Sequence, residues 1–168
     1  ALANGNPSDA RRLLLHLLYE PPHVVIGDHF NGDDCRKFRP RACAEIIANR
    51  MKEDETLTGL AKEIPSIGVM RDPTSQRVAQ QYEEHPYPRW TSLLVPAKDS
   101  ARRTLERFFA PERLSFLEEP FKVLIAGAGT GMQAISVAAR YGDNADVLAI
   151  DLSRRSLAYA KARAAQFG

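Results

Sequence analysis

The run Phe121-Lys122-Val123-Leu124-Ile125-Ala126, followed at once by Gly127-Ala128-Gly129-Thr130-Gly131, leaves this chain few folds to choose from. A short apolar stretch broken by a single lysine suits a strand covered on both faces of a parallel sheet. The alternating glycines after it let the backbone turn sharply and let a ligand come close, where a following helix offers unpaired N–H groups. That helix is expected from about Gly131 to Tyr141, closed by Gly142 as a C-terminal cap. Residues 145–151 then read as a second buried strand, and Ser153 as the cap of a last helix through Leu157, Ala160 and Ala164.

Strand, helix, strand in this order is a right-handed crossover in a parallel sheet. The fold class is therefore α/β, a helical N-terminal region followed by the first β-α-β-α of a Rossmann-like parallel sheet. Asp151 falls at the C-terminal tip of the second strand. Ligands of open α/β sheets bind at such tips, and an acidic side chain there accepts both hydroxyl hydrogens of an adenosine ribose. The pattern thus predicts a nucleoside-containing ligand lying across 127–131 and Asp151. Two plainer readings stand beside it: a tight strand-to-helix turn that binds nothing, and an Asp151 that only caps the helix near Ser153.

Upstream the pattern differs. Residues 1–118 read as a mainly helical N-terminal region with Pro-rich turns, and 119–168 as the start of the sheet-bearing domain. The first residues resemble a flexible leader. A helix is expected from Ser8 or Asp9 to Tyr19, with the leucines of 13–18 as core and Pro21-Pro22 as its end. Val24-Val25-Ile26 fits a short strand or a buried turn. A helix over 41–53 sets Cys43, Ile46, Ile47 and Met51 near one face, and another short helix is expected within 56–70 before Pro65. A helix over 75–84 leads into His85-Pro86-Tyr87-Pro88. A further one, capped by Asp99 or Ser100, turns Leu105, Phe108 and Phe109 inward.

Composition excludes several functions. The net charge of +2 is spread along the chain with no basic stretch, so nucleic-acid binding gains no support. No apolar run approaches the roughly 18 residues of a membrane span, and nothing after the leucine run reads as a signal-cleavage site. Cys35 and Cys43 are too few for a disulfide scaffold and lie in no C-x-x-C context; a reducing, cytoplasmic setting is expected. His23, Asp28, His29, Asp33, Asp34 and Cys35 cluster in sequence, but their spacing matches no zinc pattern and Asn31-Gly32-Asp33 suffices as a turn, so no metal is expected.

The identity of the nucleoside ligand turns on the sixth position of the loop. A dinucleotide fingerprint needs glycine there for close helix–strand packing, and this chain has Met132. The stretch F-K-V-L-I-A-G-A-G-T-G-M-Q-A, with V-L-A-I-D-L-S and S-L-A-Y-A-K after it, instead resembles the first two strands and helices of class I S-adenosylmethionine-dependent methyltransferases. Residues 78–90, V-A-Q-Q-Y-E-E-H-P-Y-P-R-W, resemble the Y-E-x-x-P-Y-P-R-W element that precedes that domain in a bacterial group often fused to tetratricopeptide repeats. The resemblance implies S-adenosyl-L-methionine as cofactor. It places Gly127, Ala128, Gly129, Thr130 and Gly131 against the methionine moiety, Asp151 on the ribose, and Leu152, Tyr82 and Tyr87 in the cofactor-binding set. Tyr82, Tyr87, Arg89 and Trp90 read either as a lid over the methyl donor or as a tether clamping the helical part to the sheet.

One departure is Ile125, where many such enzymes carry an acidic residue two positions before the first glycine. The domain is expected to continue beyond residue 168, where this family's acceptor-side groups usually lie, so no catalytic residue is nominated and the methyl acceptor stays open. By the same reasoning the strand 121–126 would show an unpaired apolar edge, with self-association as a consequence, and the chain by itself is expected to be inactive. The competing class is a non-catalytic module, binding S-adenosylmethionine or merely Rossmann-like.

Overall fold

Prolines and caps set most helix boundaries in the computed structural model, which describes residues 7–26, 39–94, 96–98 and 100–167. Contacts divide the chain into two units, 1–59 and 60–168. Helices α1 (Pro7–Tyr19), α2 (Pro22–Ile26) and α3 (Arg41–Glu63) come first. The core of the first unit is Leu13, Leu17, Ala44 and Ile47, with Leu14, Val25, Cys43, Ala48 and Met51 packed against it. Leu15, Leu18 and Ile46 face outward instead, because one helical stripe of α1 and one of α3 satisfy the contact. The 24–26 segment is helical, neither a strand nor a simple turn. Pro22 occupies a first-turn position where its missing N–H costs nothing, and Val24 and Val25 donate to the Pro21 carbonyl at 3.1 and 3.3 Å.

Helix α3 is a single helix where two were expected. It runs through Gly59, whose flexibility costs only about 1 kcal/mol in a helix interior, and stops at Glu63 because Ile64 precedes Pro65. Residues 1–6 and the cluster 28–35 lie outside the described residues, as does Asp99. Among the described residues no helix is long and apolar enough to cross a membrane.

In the second unit, α4 (Pro73–Glu84) starts two residues earlier than its apolar pattern suggests. Asp72 caps it, accepting from the Ser75 N–H at 2.7 Å, and Pro73 stands in the first turn. This hydrogen bond holds the Asp72 carboxyl below its ordinary value. Helix α5 (Ser100–Leu105) is short, and the chain turns away after it. Phe108 is therefore 75% exposed and Phe109 also faces outward, while Ala101 carries the buried contact. A 3-10 segment (Pro111–Glu118) leads into β1 (Phe121–Ala126), where the Phe121 ring meets Phe116 and Tyr141 edge-on at 5.3 and 5.6 Å. Arg102 braces the segment through Glu118 at 2.6 Å and Glu106 at 3.0 Å, and both carboxylates raise its pKa.

The rest is α/β as read from the sequence: α6 (Met132–Tyr141), β2 (Ala145–Ile150) and α7 (Arg154–Phe167). Strands β1 and β2 pair in parallel from Phe121↔Ala145 to Ala126↔Ile150. Gly142, at φ 74°, closes α6 by donating to the Ala138 carbonyl. Ser153 Oγ accepts from the Ser156 N–H at 3.0 Å and so caps α7. Ile125, Ala128 and Ala134 form the core here with Val123, Val137, Val147, Ala149 and Leu157. These residues come from β1, β2, α6 and α7, so both helices cover the same face of the sheet. The strand is thus buried on one face only: Leu124 and Leu148, on the other, are 59% and 56% exposed.

Candidate functional site

The turn from β1 into α6 is built on three left-handed glycines, Gly127, Gly129 and Gly131, at φ 69°, 52° and 83°. A side chain at any of them costs about 1–2 kcal/mol in backbone strain alone. Space separates their roles. A Cβ on Gly127 would meet nothing within 4 Å, and one on Gly129 only the Tyr87 carbonyl at 3.8 Å. A Cβ on Gly131 would lie 2.3 Å from the Ala160 Cβ. Gly131 is thus required by the approach of α6 to α7, while the surface beside Gly127 and Gly129 stays open. Met132, by contrast, is 37% exposed. Its side chain is partly exposed and does not obstruct helix–strand packing, so the steric argument drawn from it against a dinucleotide fails; the close approach at this turn is the one between α6 and α7 at Gly131.

The sequence-marked residues divide by direction. Ala128 is buried in the core beneath the turn, and its N–H donates to the Ile150 carbonyl at 3.0 Å. Thr130 is buried and its hydroxyl donates to the Pro88 carbonyl at 2.7 Å. Leu152 is exposed just beyond the strand tip, and Tyr82 and Tyr87 are exposed on the upstream element. Ile125 lies in the core, so its position is an apolar packing site.

Asp151 links the two halves of the motif. One carboxylate oxygen accepts from the Gly129 N–H at 2.8 Å and the other from the Ser153 N–H at 2.9 Å. The capping reading of Asp151 is therefore correct in part, since it organises the start of α7 as well as the glycine turn. An ionised carboxylate has about four acceptor positions, so two backbone donors leave it capacity to accept further hydrogen bonds.

The element before the strand acts as a clamp. Trp90 is 6% exposed and donates from Nε1 to the Thr130 carbonyl at 3.0 Å. Its ring packs on Tyr159 and Phe167 of α7 at 6.1 and 6.0 Å, and the Tyr159 hydroxyl donates to the Trp90 carbonyl. Arg163 lies over the Tyr159 ring at 4.8 Å and donates to its hydroxyl at 3.0 Å. Trp90 is a tether under the turn. Its burial removes it from any lid.

Two residues of this constellation sit inside the family-like stretches, Glu83 in Y-E-x-x-P-Y-P-R-W and Tyr159 in S-L-A-Y-A-K, yet their residue types alone name no role for them. Tyr159 reads as one more apolar position of α7. Glu83 accepts from the Ser153 hydroxyl at 2.8 Å and the Arg155 N–H at 3.0 Å. The sequence carries two signals for Glu83: its place in that element, and the last turn of a helix, where an acidic residue opposes the helix dipole and is relieved by a partner elsewhere. That partner is the N-terminus of α7, where the dipole favours a carboxylate.

Residues 123–168 match the family model described as a methyltransferase domain. The matched stretch takes in β1 from Val123, the glycine turn, α6, β2, Asp151 and α7. It supports an S-adenosylmethionine-dependent methyltransferase domain at that coarse level. No curated protein and no solved structure matches the chain.

Proposed function

We propose that 127–131 and Asp151 form the cofactor end of an S-adenosyl-L-methionine site, and that the chain is the cofactor-binding part of a methyltransferase. The observation that carries this reading is the Asp151–Gly129 hydrogen bond. It brings a carboxylate with acceptor capacity to spare beside glycines whose missing side chains leave open space. The donor set fits the group: a carboxylate for the ribose hydroxyls, and a backbone turn with no Cβ in the way. Bound S-adenosylmethionine supplies a methyl group on a sulfonium, and its transfer is an in-line displacement. The work of these residues is then to hold and orient the donor. Tyr87, whose carbonyl lies nearest Gly129, and the exposed Leu152 and Tyr82 complete the proposed set.

Calorimetry with S-adenosylhomocysteine and with NAD tests the assignment. The expected result is binding of S-adenosylhomocysteine, with NAD far weaker; equal or stronger NAD binding overturns it. Asp151→Asn removes the charge while keeping one oxygen acceptor. A charge-assisted hydrogen bond contributes about 1.5–3 kcal/mol, so the variant is expected to bind S-adenosylhomocysteine at least about tenfold more weakly. Unchanged affinity in a folded variant would leave Asp151 only its turn-organising role.

A further inference from the structure

We infer that Glu83, on α4 and outside the glycine motif, is a positioning residue that sets the Asp151 carboxylate for the ribose. This rests on the cofactor reading above and assigns one more residue to the same site.

The hydroxyl of Ser153 fixes the direction of the relay. Ser153 is fully buried, its Oγ accepts from the Ser156 N–H, and its single proton must go elsewhere. The hydroxyl donates to the Glu83 carboxylate 2.8 Å away, which also accepts from the Arg155 N–H. The Ser153 backbone N–H then donates to Asp151, whose other oxygen accepts from the Gly129 N–H. Glu83, Ser153, Asp151 and Gly129 thus form one hydrogen-bonded line from α4 to the glycine turn. Nothing in it needs a bound ligand.

Removing the carboxylate leaves a buried hydroxyl proton and an N-terminal N–H of α7 without their acceptor. The segment that carries Ser153 then moves to find new partners, and Asp151 loses one of the two donors that orient it. A ribose needs both hydroxyls met at once, so a carboxylate free to rotate binds it less well. The hydrogen bonds of Glu83 run to Ser153 and Arg155 of α7, so it acts on Asp151 through Ser153.

The test pairs ligand affinity with a readout that needs no ligand. Glu83→Ala is expected to weaken S-adenosylhomocysteine binding about tenfold, the scale of a lost charged hydrogen bond. Glu83→Gln, which keeps an oxygen acceptor, should recover most of that loss. In an Asp151→Asn background, Glu83→Ala should have almost no further effect, because the two act in series. Amide hydrogen exchange at Gly129 should quicken about tenfold in Glu83→Ala with no ligand present, as the turn opens more often. Equal affinity losses in both backgrounds, or unchanged Gly129 exchange, overturn the inference. Should Glu83→Ala not fold, Ser153→Ala breaks the same line at its next link, and unchanged Gly129 exchange there overturns it equally. If the unaltered protein binds no S-adenosylhomocysteine, the cofactor reading falls, and Gly129 exchange alone decides whether Glu83 positions the turn.

Discussion

The glycine turn and the Tyr82–Trp90 element lie against each other, yet they are held in opposite ways. The turn takes its bend from its own backbone: Gly131 donates to the Ala128 carbonyl at 2.9 Å, Ile135 to Gly131 at 3.0 Å, and the three glycines stand at positive φ. The upstream element is held by distant partners. Trp90 reaches Thr130, Tyr159 and Phe167, and Glu83 reaches Ser153 and Arg155. Shape in this site is local, and fixation is remote. A turn rich in glycine has much conformational entropy to lose, so a clamp from outside is what holds it in one conformation.

Trp90→Ala breaks the comparison most severely. It removes a buried aromatic, its two ring contacts and a buried hydrogen bond, and should cost the second unit about 3–5 kcal/mol. Denaturant unfolding followed by circular dichroism measures this; a loss below about 1 kcal/mol would mean that the clamp is not structural. Trp90 is also the only tryptophan, so its fluorescence in the unaltered protein reports on the second unit alone.

Two glycine substitutions sharpen the local side. Gly131→Ala forces a Cβ to 2.3 Å from Ala160 in a left-handed backbone, adding overpacking to strain, for about 3 kcal/mol or more. Gly127→Ala meets no atom within 4 Å and should cost only the strain, about 1 kcal/mol. Its stability stays near that of the original protein, while S-adenosylhomocysteine binding weakens if the open space beside Gly127 belongs to the ligand. Equal destabilisation by both changes would erase the distinction between a packing glycine and a ligand-facing one.

The smallest effect belongs to the cap that starts α4. Bonding to the Ser75 backbone N–H lowers the Asp72 pKa below its ordinary 3.8 in the folded state. The cap's contribution is therefore fully present above the unfolded value and is lost as pH falls through the lowered folded value. Asp72→Asn keeps a good capping group but removes the titration. The melting-temperature difference between the original protein and the variant should favour the original near neutrality and shrink toward acid. A constant difference across that range would show that the charge of Asp72 adds nothing.

The boundaries of β1, α6, β2 and α7 were legible from the residues alone, to within a position. An apolar run, glycines at positive φ, a glycine C-cap and a serine N-cap act through the backbone of their own neighbours, so local sequence is enough to determine them. The placement of Asp151 was legible too, as a carboxylate at a strand tip beside a glycine turn. Tertiary structure alone decided which faces are used. Ile46 and Phe108 point outward and Trp90 inward, although all three are large and apolar, because which face finds a partner depends on what packs there. The same holds for Gly131, demanded by Ala160 on another helix, and for Glu83, whose acceptor role exists only because folding brings it to Ser153 across 70 residues. A residue's conformational preference is written in its own chemistry, whereas its partner is written in the path of the whole chain.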